Sequence, residues 1–347
     1  MENRGWSNST GSPFSTREQR DAKNQLITMS YDLLNRLKTR HEPTGGQSVW
    51  VYDTAPGAGK GKLHTLSRSS DNYLESYSYD GYGRPSTMTT KLDGVNYVVT
   101  NQYDIHSRLE RVTYPASGSK GRFEKKNLYS DSGYLMSVSD ATTGHAFWTR
   151  VSTNADGNVS WEVLGNGLST MRGFDPVTRR LKSITTGSNS QVQNLAYAFD
   201  NLGNLESRTD HNQKWLGQTG VTEGFYYDTL NRLTSSTINS AVAKVYQYDA
   251  VGNISYSSDL GTYTYGQGSA GPHAVTYVQG ASLSYDANGN MKDDLNKGIT
   301  NITYNHLNLP TTVSFGSTKT ISYTYDAAGI KLKKTVNDNG TITTTDY

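Results

Sequence analysis

Carboxylates are the reactive groups this chain supplies most freely, and the question is what their neighbours let them do. Asp293-Asp294 has the composition of a general acid/base couple, but that chemistry needs two carboxyls converging on one proton. Adjacent aspartates just after a turn read instead as solvated turn charges. Asp286-Ala287-Asn288-Gly289-Asn290 opens like a calcium loop. Its glycine falls at the fourth place rather than the sixth, and Lys297 stands where the bidentate glutamate belongs. Gly57-Ala58-Gly59-Lys60-Gly61-Lys62 hints at a phosphate loop, yet its spacing is wrong and no Ser or Thr follows either lysine. It reads as a long, flexible version of a hairpin turn. The seven histidines, among them His41, His64, His106, His211 and His306, never recur at three- or four-residue spacing. A zinc site would therefore need ligands converging from separate hairpins. His273 reads as a packing or hydrogen-bonding residue. Cysteine is absent, so neither a thiolate site nor a disulfide frame is possible. There is no Gly-x-Ser-x-Gly elbow either. No catalytic residue, cofactor or metal is expected, and the chain is read as a non-enzyme.

Eight of the 22 aspartates stand instead directly behind a tyrosine. The dyad occurs at Tyr31-Asp32, Tyr52-Asp53, Tyr79-Asp80, Tyr103-Asp104, Tyr227-Asp228, Tyr248-Asp249, Tyr285-Asp286 and Tyr325-Asp326. Degenerate copies at Tyr129-Ser130, Thr153-Asn154, Phe174-Asp175, Phe199-Asp200, Tyr265-Gly266 and Tyr304-Asn305 fill the gaps. Successive copies lie about 17 to about 28 residues apart, the range of a stacked repeat.

Within a copy, aspartate at the first turn position accepts backbone N–H groups further on. Glycine three residues later (Gly83, Gly252, Gly289, Gly329) supplies the left-handed conformation that closes a type I turn with a bulge. Asparagine replaces it at Asn35, Asn231 and Asn308, the next residue to tolerate that conformation. Ser107 and Thr178 fit the place less well. Arginine or asparagine follows (Arg36, Arg84, Arg108, Asn204, Arg232, Asn290), usually before an apolar residue. Ahead of the turn aromatics alternate with small polar residues, as in Tyr77-Ser78-Tyr79 and Tyr323-Thr324-Tyr325, which puts both rings on one strand face. The tyrosine packs and the aspartate turns the chain.

Hydrophobic residues make up 34% and the net charge is +2, so a thick core and phosphate-driven nucleic-acid binding are both disfavoured. Tyr 25, Trp 5 and Phe 7 supply half-buried faces for strands. No apolar run is long enough for a membrane helix, the N-terminus lacks a signal peptide's apolar stretch, and segments such as residues 181–185 and 330–334 are too short and basic for a lipid-facing strand. No membrane insertion is expected.

The pattern Tyr-Asp-x-x-Gly-Arg-Leu resembles the YD repeat of the Rhs family, and Gly271-Pro272-His273-Ala274-Val275 matches a string that recurs in Rhs repeat regions. The resemblance covers roughly residues 26 to 336 and implies a β-sheet shell. In Rhs polymorphic toxins and insecticidal toxin complexes such shells sequester a toxic C-terminal polypeptide, and teneurins use similar shells in adhesion. The aspartate-dependent self-cleavage ending Asp-Pro-x-Gly-Leu of many relatives is not matched here; Asp175-Pro176-Val177-Thr178-Arg179 sits mid-array as a turn variant.

The expectation is an all-β chain of consecutive antiparallel hairpins, about 28 strands from fourteen units, forming a curved, spiralling and largely single-layered sheet. Residues 1–25 are expected to be an irregular lead-in and 26–347 the array, with a degenerate repeat, a weak boundary and an inserted loop near 261–280 and an incomplete C-terminal end. The expected role is a structural wall of a secreted or cell-surface protein whose export signal lies elsewhere. Its partners would be the remainder of a larger polypeptide and its cargo. The rival reading is a glycan-binding module stacking sugars on Trp50, Trp148, Trp161 and Trp215; the alternative for those rings is cross-strand packing.

Overall fold

The computed structural model describes residues 7–9, 16–69, 73–215 and 218–347, with the side chains at 7–9, 214, 215, 218 and 219 outside the described set. The chain forms strands joined by short turns; the helical pieces among the described residues are two single 3₁₀ turns, Ser188–Ser190 and Leu295–Lys297. The all-β class of consecutive antiparallel hairpins read from the sequence is the class observed, with 31 strands among the described residues where about 28 were expected. Two compact units divide it, Met1–Thr100 with Thr262–Tyr347 and, separately, Asn101–Gly261.

The unit Asn101–Gly261 is a sheet in which each strand pairs antiparallel with the next, from Leu109–Thr113 to Ile254–Ser257. Its longest hairpin joins Leu205–Trp215 to Gln218–Tyr227. Among the described residues its buried apolar side chains are Val112 and Val221. Two layers would bury far more, so this part is a single sheet. Cross-strand polar pairs supply the cohesion a core would otherwise give: Thr170 and Thr186 share a hydroxyl bond of 2.9 Å, and Glu162 takes both the Trp148 indole N–H (2.8 Å) and the Arg172 guanidinium (2.6 Å).

The other unit differs. Its N-terminal strands run from Thr16–Arg20 to Val95–Tyr103; its C-terminal part holds a three-stranded sheet and a five-stranded one, Asn301–Tyr304 to Thr341–Asp346. Leu66, Tyr73 and Leu92 from the first part bury against Ala327 and Leu332 from the second, with Trp50, Leu63 and Tyr97 packed around them. This core corrects the single-layered expectation for this unit. Tyr73 reaches only 1% exposure because period-two alternation puts it, with Glu75, on the strand face that the C-terminal hairpins cover.

Three further expectations need correction. Residues 1–25 are not irregular throughout: Thr16–Arg20 is a strand paired with Leu26–Tyr31 and with Ser7–Ser9. The Gly57 loop is anchored rather than flexible. Tyr79 N–H donates to the Pro56 carbonyl (3.0 Å), and a Cβ on Gly57 would overlap the Tyr79 carbonyl oxygen. Residues 261–280 are not merely an inserted loop: Thr264–Tyr265 and Val275–Val278 pair around the loop between them, while the unit boundary falls at Gly261, at the edge of the stretch where a weak boundary was expected.

The repeated turn as candidate functional site

One copy shows the construction. Asp80 Oδ1 accepts the backbone N–H groups of Tyr82 (2.9 Å) and Arg84 (3.0 Å), while Oδ2 accepts Arg84 Nε (2.7 Å). The Gly83 N–H returns to the Asp80 carbonyl at φ 75, and pairing slips from Ser78↔Thr87 to Tyr79↔Pro85. That slip is the bulge that left-handed glycine allows. Asp32, Asp104 and Asp228 repeat the arrangement with Arg36, Arg108 and Arg232. Asp249 and Asp286 use Asn253 and Asn290. Asp326 caps Ala328 and Ile330, but Ile330 brings no polar side chain to its second oxygen.

The left-handed place is held by Asn35, Asn231 and Asn308 at φ near 60, and by Ser107 at φ 64 despite its weaker fit. In the Asp175 turn the loop is one residue longer, Asp175 N–H reaching Arg180, and Arg179 takes the positive φ instead of Thr178. Asn154 and Asn305 cap through their amide oxygens, and Ser130 caps Tyr134 through its hydroxyl.

Successive copies are tied together. Five of the eight dyad tyrosines donate their hydroxyl to a carbonyl just after the preceding turn: Tyr79 to Leu63, Tyr227 to Leu205, Tyr248 to Leu233, Tyr285 to Val275 and Tyr325 to Pro310, all at 2.8–2.9 Å. The arginine reaches the other way. Arg36 stacks over the Tyr52 ring at 4.4 Å and grips both oxygens of Asp53 (3.1 and 2.6 Å). Arg108 lies over Tyr129, Arg232 over Tyr248 and Arg180 over Phe199. Tyr31 instead turns its hydroxyl to Met29 Sδ, with Arg17 above its ring. Tyr103 closes its strand ahead of the Asp104 turn.

The acids stay charged in this setting. The backbone N–H of Arg36, opposed by burial and aided by the Arg36 guanidinium, holds Asp32 below the usual carboxylate range. The Arg36 guanidinium and then the Gly61 N–H lower Asp53 to about 2. Burial raises the tyrosine hydroxyls of Tyr79, Tyr227 and Tyr325 above their ordinary value. Carboxylate oxygens filled by N–H donors are poor proton acceptors, and what the arrangement does chemically is hold one turn to the next.

Asp293 accepts the backbone N–H of Ser284 (3.0 Å) and its hydroxyl, and Asp294 pairs with Lys297 (2.9 Å), so the two adjacent acids serve different partners. Asp286 Oδ2 takes Lys23 Nζ at 2.5 Å. Among the described residues no three His, Asp or Glu side chains gather to hold a metal ion. Trp50 packs against the core under Arg40. Trp148 lies opposite Leu164, whereas Trp161 on that same strand lies opposite Met171 three positions back, which puts the two indoles on opposite faces. The Trp215 side chain lies outside the described residues.

Two further turns were not read from the sequence. Asp21 caps Gln25 N–H at 2.8 Å and Asn24 holds φ 62, but Arg20 stands where the tyrosine would be. The string Asp-x-x-Asn was the available signal. In the second, Glu42 heads the same kind of turn while its longer side chain leaves the turn for Arg40 and Ser48.

The fold and its turns define a class: an all-β array of consecutive hairpins joined turn to turn by tyrosine hydroxyls and stacked arginines. Solved structures similar in fold include chains of toxin complexes. A Photorhabdus luminescens Tc holotoxin pore with a TccC3 substitution matches at TM-score 0.67 and 16% identity over 96% of this chain. TcdB2–TccC3–Cdc42 and TcdB2–TccC3 match at 0.63 and 0.62, each at 16% identity over 97%. The chain spans about a fifth of those chains, 20 to 22%. At such identities the likeness is one of fold, in line with the Rhs-type resemblance of the turns. No protein-family profile matches, and no curated protein does. No helix among the described residues is long and apolar enough to cross a membrane.

Proposed function

We propose that this chain is a non-enzymatic wall segment of an Rhs-type protein acting outside its cell of origin, enclosing or presenting a toxin-like polypeptide. One observation carries the reading: the repeated acids are used up in closing turns and joining them, as Asp80 is by Tyr82 and Arg84. A wall needs that lateral cohesion and needs no reactive group. The fold likeness to TcdB2–TccC3 chains supports it. The strands of Asn101–Gly261 also carry cross-strand polar pairs, Thr170 with Thr186 and Glu162 with Arg172. An enclosed chain gains no core to fold against on such a surface.

The test is limited proteolysis of the longest natural polypeptide that contains these residues, read by peptide mass spectrometry. A segment outside 26–347 that survives in the native protein, and is cut at once after urea unfolding, supports enclosure. Equal cutting in both states, or a polypeptide with no such segment, removes the reading.

A further inference from the structure

The unit Met1–Thr100 with Thr262–Tyr347 holds a polar cluster that the turns do not use. Arg40 is 9% exposed and donates from Nη2 to the Ala327 carbonyl (2.9 Å) and to Glu42 Oε1 (3.0 Å). Ser48 Oγ donates to the same carboxylate oxygen at 3.0 Å. Arg68 donates from Nη2 to the Tyr325 carbonyl. Two arginines thus grip the main chain on both sides of Asp326, at sequence separations of 287 and 257 residues.

His306 sits in the adjoining turn, where Asn305 N–H meets the Leu309 carbonyl. Its side chain is 8% exposed and Nδ1 lies 3.7 Å from Glu42 Oε2. Its Nε2 is buried without a hydrogen-bond partner, and so is Arg40 Nε. A pocket of about 210 Å³ beside it is lined by Glu42, Arg68, Tyr304, Tyr323 and Tyr325. The charged groups that act on the imidazole are therefore Arg40 and Glu42 from the hairpin of Leu37–His41 with Gln47–Tyr52, and Arg68 from strand Leu63–Arg68, while Tyr304, Tyr323 and Tyr325 line the same pocket from its own side. Glu42 already pairs with Arg40 there, and Asp326, 4% exposed, stands between the two gripped carbonyls.

We propose that His306 is an acid-responsive latch within this unit. Neutral, it lets Arg40 and Arg68 hold the turn at 325–329 against the N-terminal strands; protonated, it adds a third cation beside those two guanidinium groups and drives the C-terminal hairpins off. Desolvation penalises a buried imidazolium, and two nearby guanidinium groups repel it. Burial, opposed by Glu42 and reinforced by Arg40 and Arg68, lowers the pKa of His306 from its ordinary 6.5. A base lowered on folding takes up protons more readily once released. The closed state is therefore fully favoured above about pH 6.5 and loses that advantage as pH falls towards the lowered value.

The chain has no cysteine, so spin labels go where they are placed. Labels at Val51→Cys and Ile330→Cys, both exposed, report the separation of the two parts by pulsed electron resonance. Between about pH 7.5 and about pH 5.5, across the histidine range, the distance distribution is expected to shift several ångströms longer and return on neutralisation. A control pair at Val242→Cys and Val251→Cys in the other unit is expected to hold still. His306→Gln removes the shift, and Glu42→Gln moves it to higher pH, because the carboxylate that stabilises the cation in the closed state is gone and the gap to the released imidazole widens. A His306→Gln protein that opens like the parent, or a parent that stays closed across the range, overturns the latch. Should His306→Gln fail to fold, an unmoved midpoint in Glu42→Gln overturns it equally.

Discussion

The Tyr227 hydroxyl donates to the Leu205 carbonyl at 2.9 Å across 22 residues of sequence. The ring belongs to one turn and the carbonyl to the turn before it, so a single side-chain bond records that two copies stand side by side. Tyr248 repeats it with Leu233 at 2.8 Å.

Removing that oxygen should therefore loosen one turn from the next without touching the turn itself. Tyr227→Phe is expected to cost about 1 kcal/mol, the usual worth of such a bond. Urea unfolding measures it, and an unchanged midpoint would show that the hydroxyl is incidental.

Gly252 isolates the backbone requirement, since a Cβ there meets nothing within 4 Å while φ is 92. Gly252→Ala is expected to destabilise by about 1–2 kcal/mol from conformation alone. Gly252→Asn should cost clearly less, as Asn35, Asn231 and Asn308 hold the same place at φ near 60. Equal losses for the two variants would point to some other cause.

The stacked arginine makes a different prediction. Arg232 pairs with Asp228 Oδ2 at 2.7 Å and lies 4.5 Å from the centre of the Tyr248 ring. A double-mutant cycle of Arg232→Met with Tyr248→Leu should give a coupling of about 0.5–1 kcal/mol, the range for a partly exposed cation on a ring. Additive losses would mean that the stacking holds nothing.

Acid should loosen the turns in a defined window. Asp53 is lowered to about 2, first by the Arg36 guanidinium and then by the Gly61 N–H, and Asp32 is lowered as well. An acid lowered on folding contributes stability above its unfolded pKa of 3.8, and that contribution fades as pH drops from there to about 2. Carboxyl-carbon NMR titration checks this directly. In Arg36→Gln both aspartates should titrate higher, nearer their ordinary value; unmoved curves would remove Arg36 as the cause.

Leu66 tests the one substantial apolar core. It is 4% exposed and packs with Tyr73, Leu92, Ala327 and Leu332. Leu66→Ala is expected to cost about 2–5 kcal/mol. Hydrogen exchange should speed up in its own unit and stay unchanged in strands such as Ser169–Phe174 of the other. Faster exchange in both alike would contradict the separate cores.

Much of the turn construction was legible before any coordinates. Aspartate, a left-handed residue three places on and a donor one place further are neighbours in sequence, so their spacing carries the geometry. The exceptions were legible in kind: Asp21 escaped because Arg20 replaces the aromatic, though its Asp-x-x-Asn string remained. The Gly57 loop misled because glycine reads as freedom, while here it lets the backbone approach Tyr79 closely.

The grip of Arg40 and Arg68 on the turn at 325–329 left no comparable trace. Their acceptors are main-chain carbonyls of Ala327 and Tyr325, and every residue carries a carbonyl. Glu42 and His306 meet only because separate hairpins bring them within 3.7 Å, a proximity set by packing across the core rather than by any spacing along the chain. Local chemistry was enough to make the hairpins and to line them up; which distant hairpins share a core, and which polar groups that core traps, followed from burial between segments that the linear order keeps far apart.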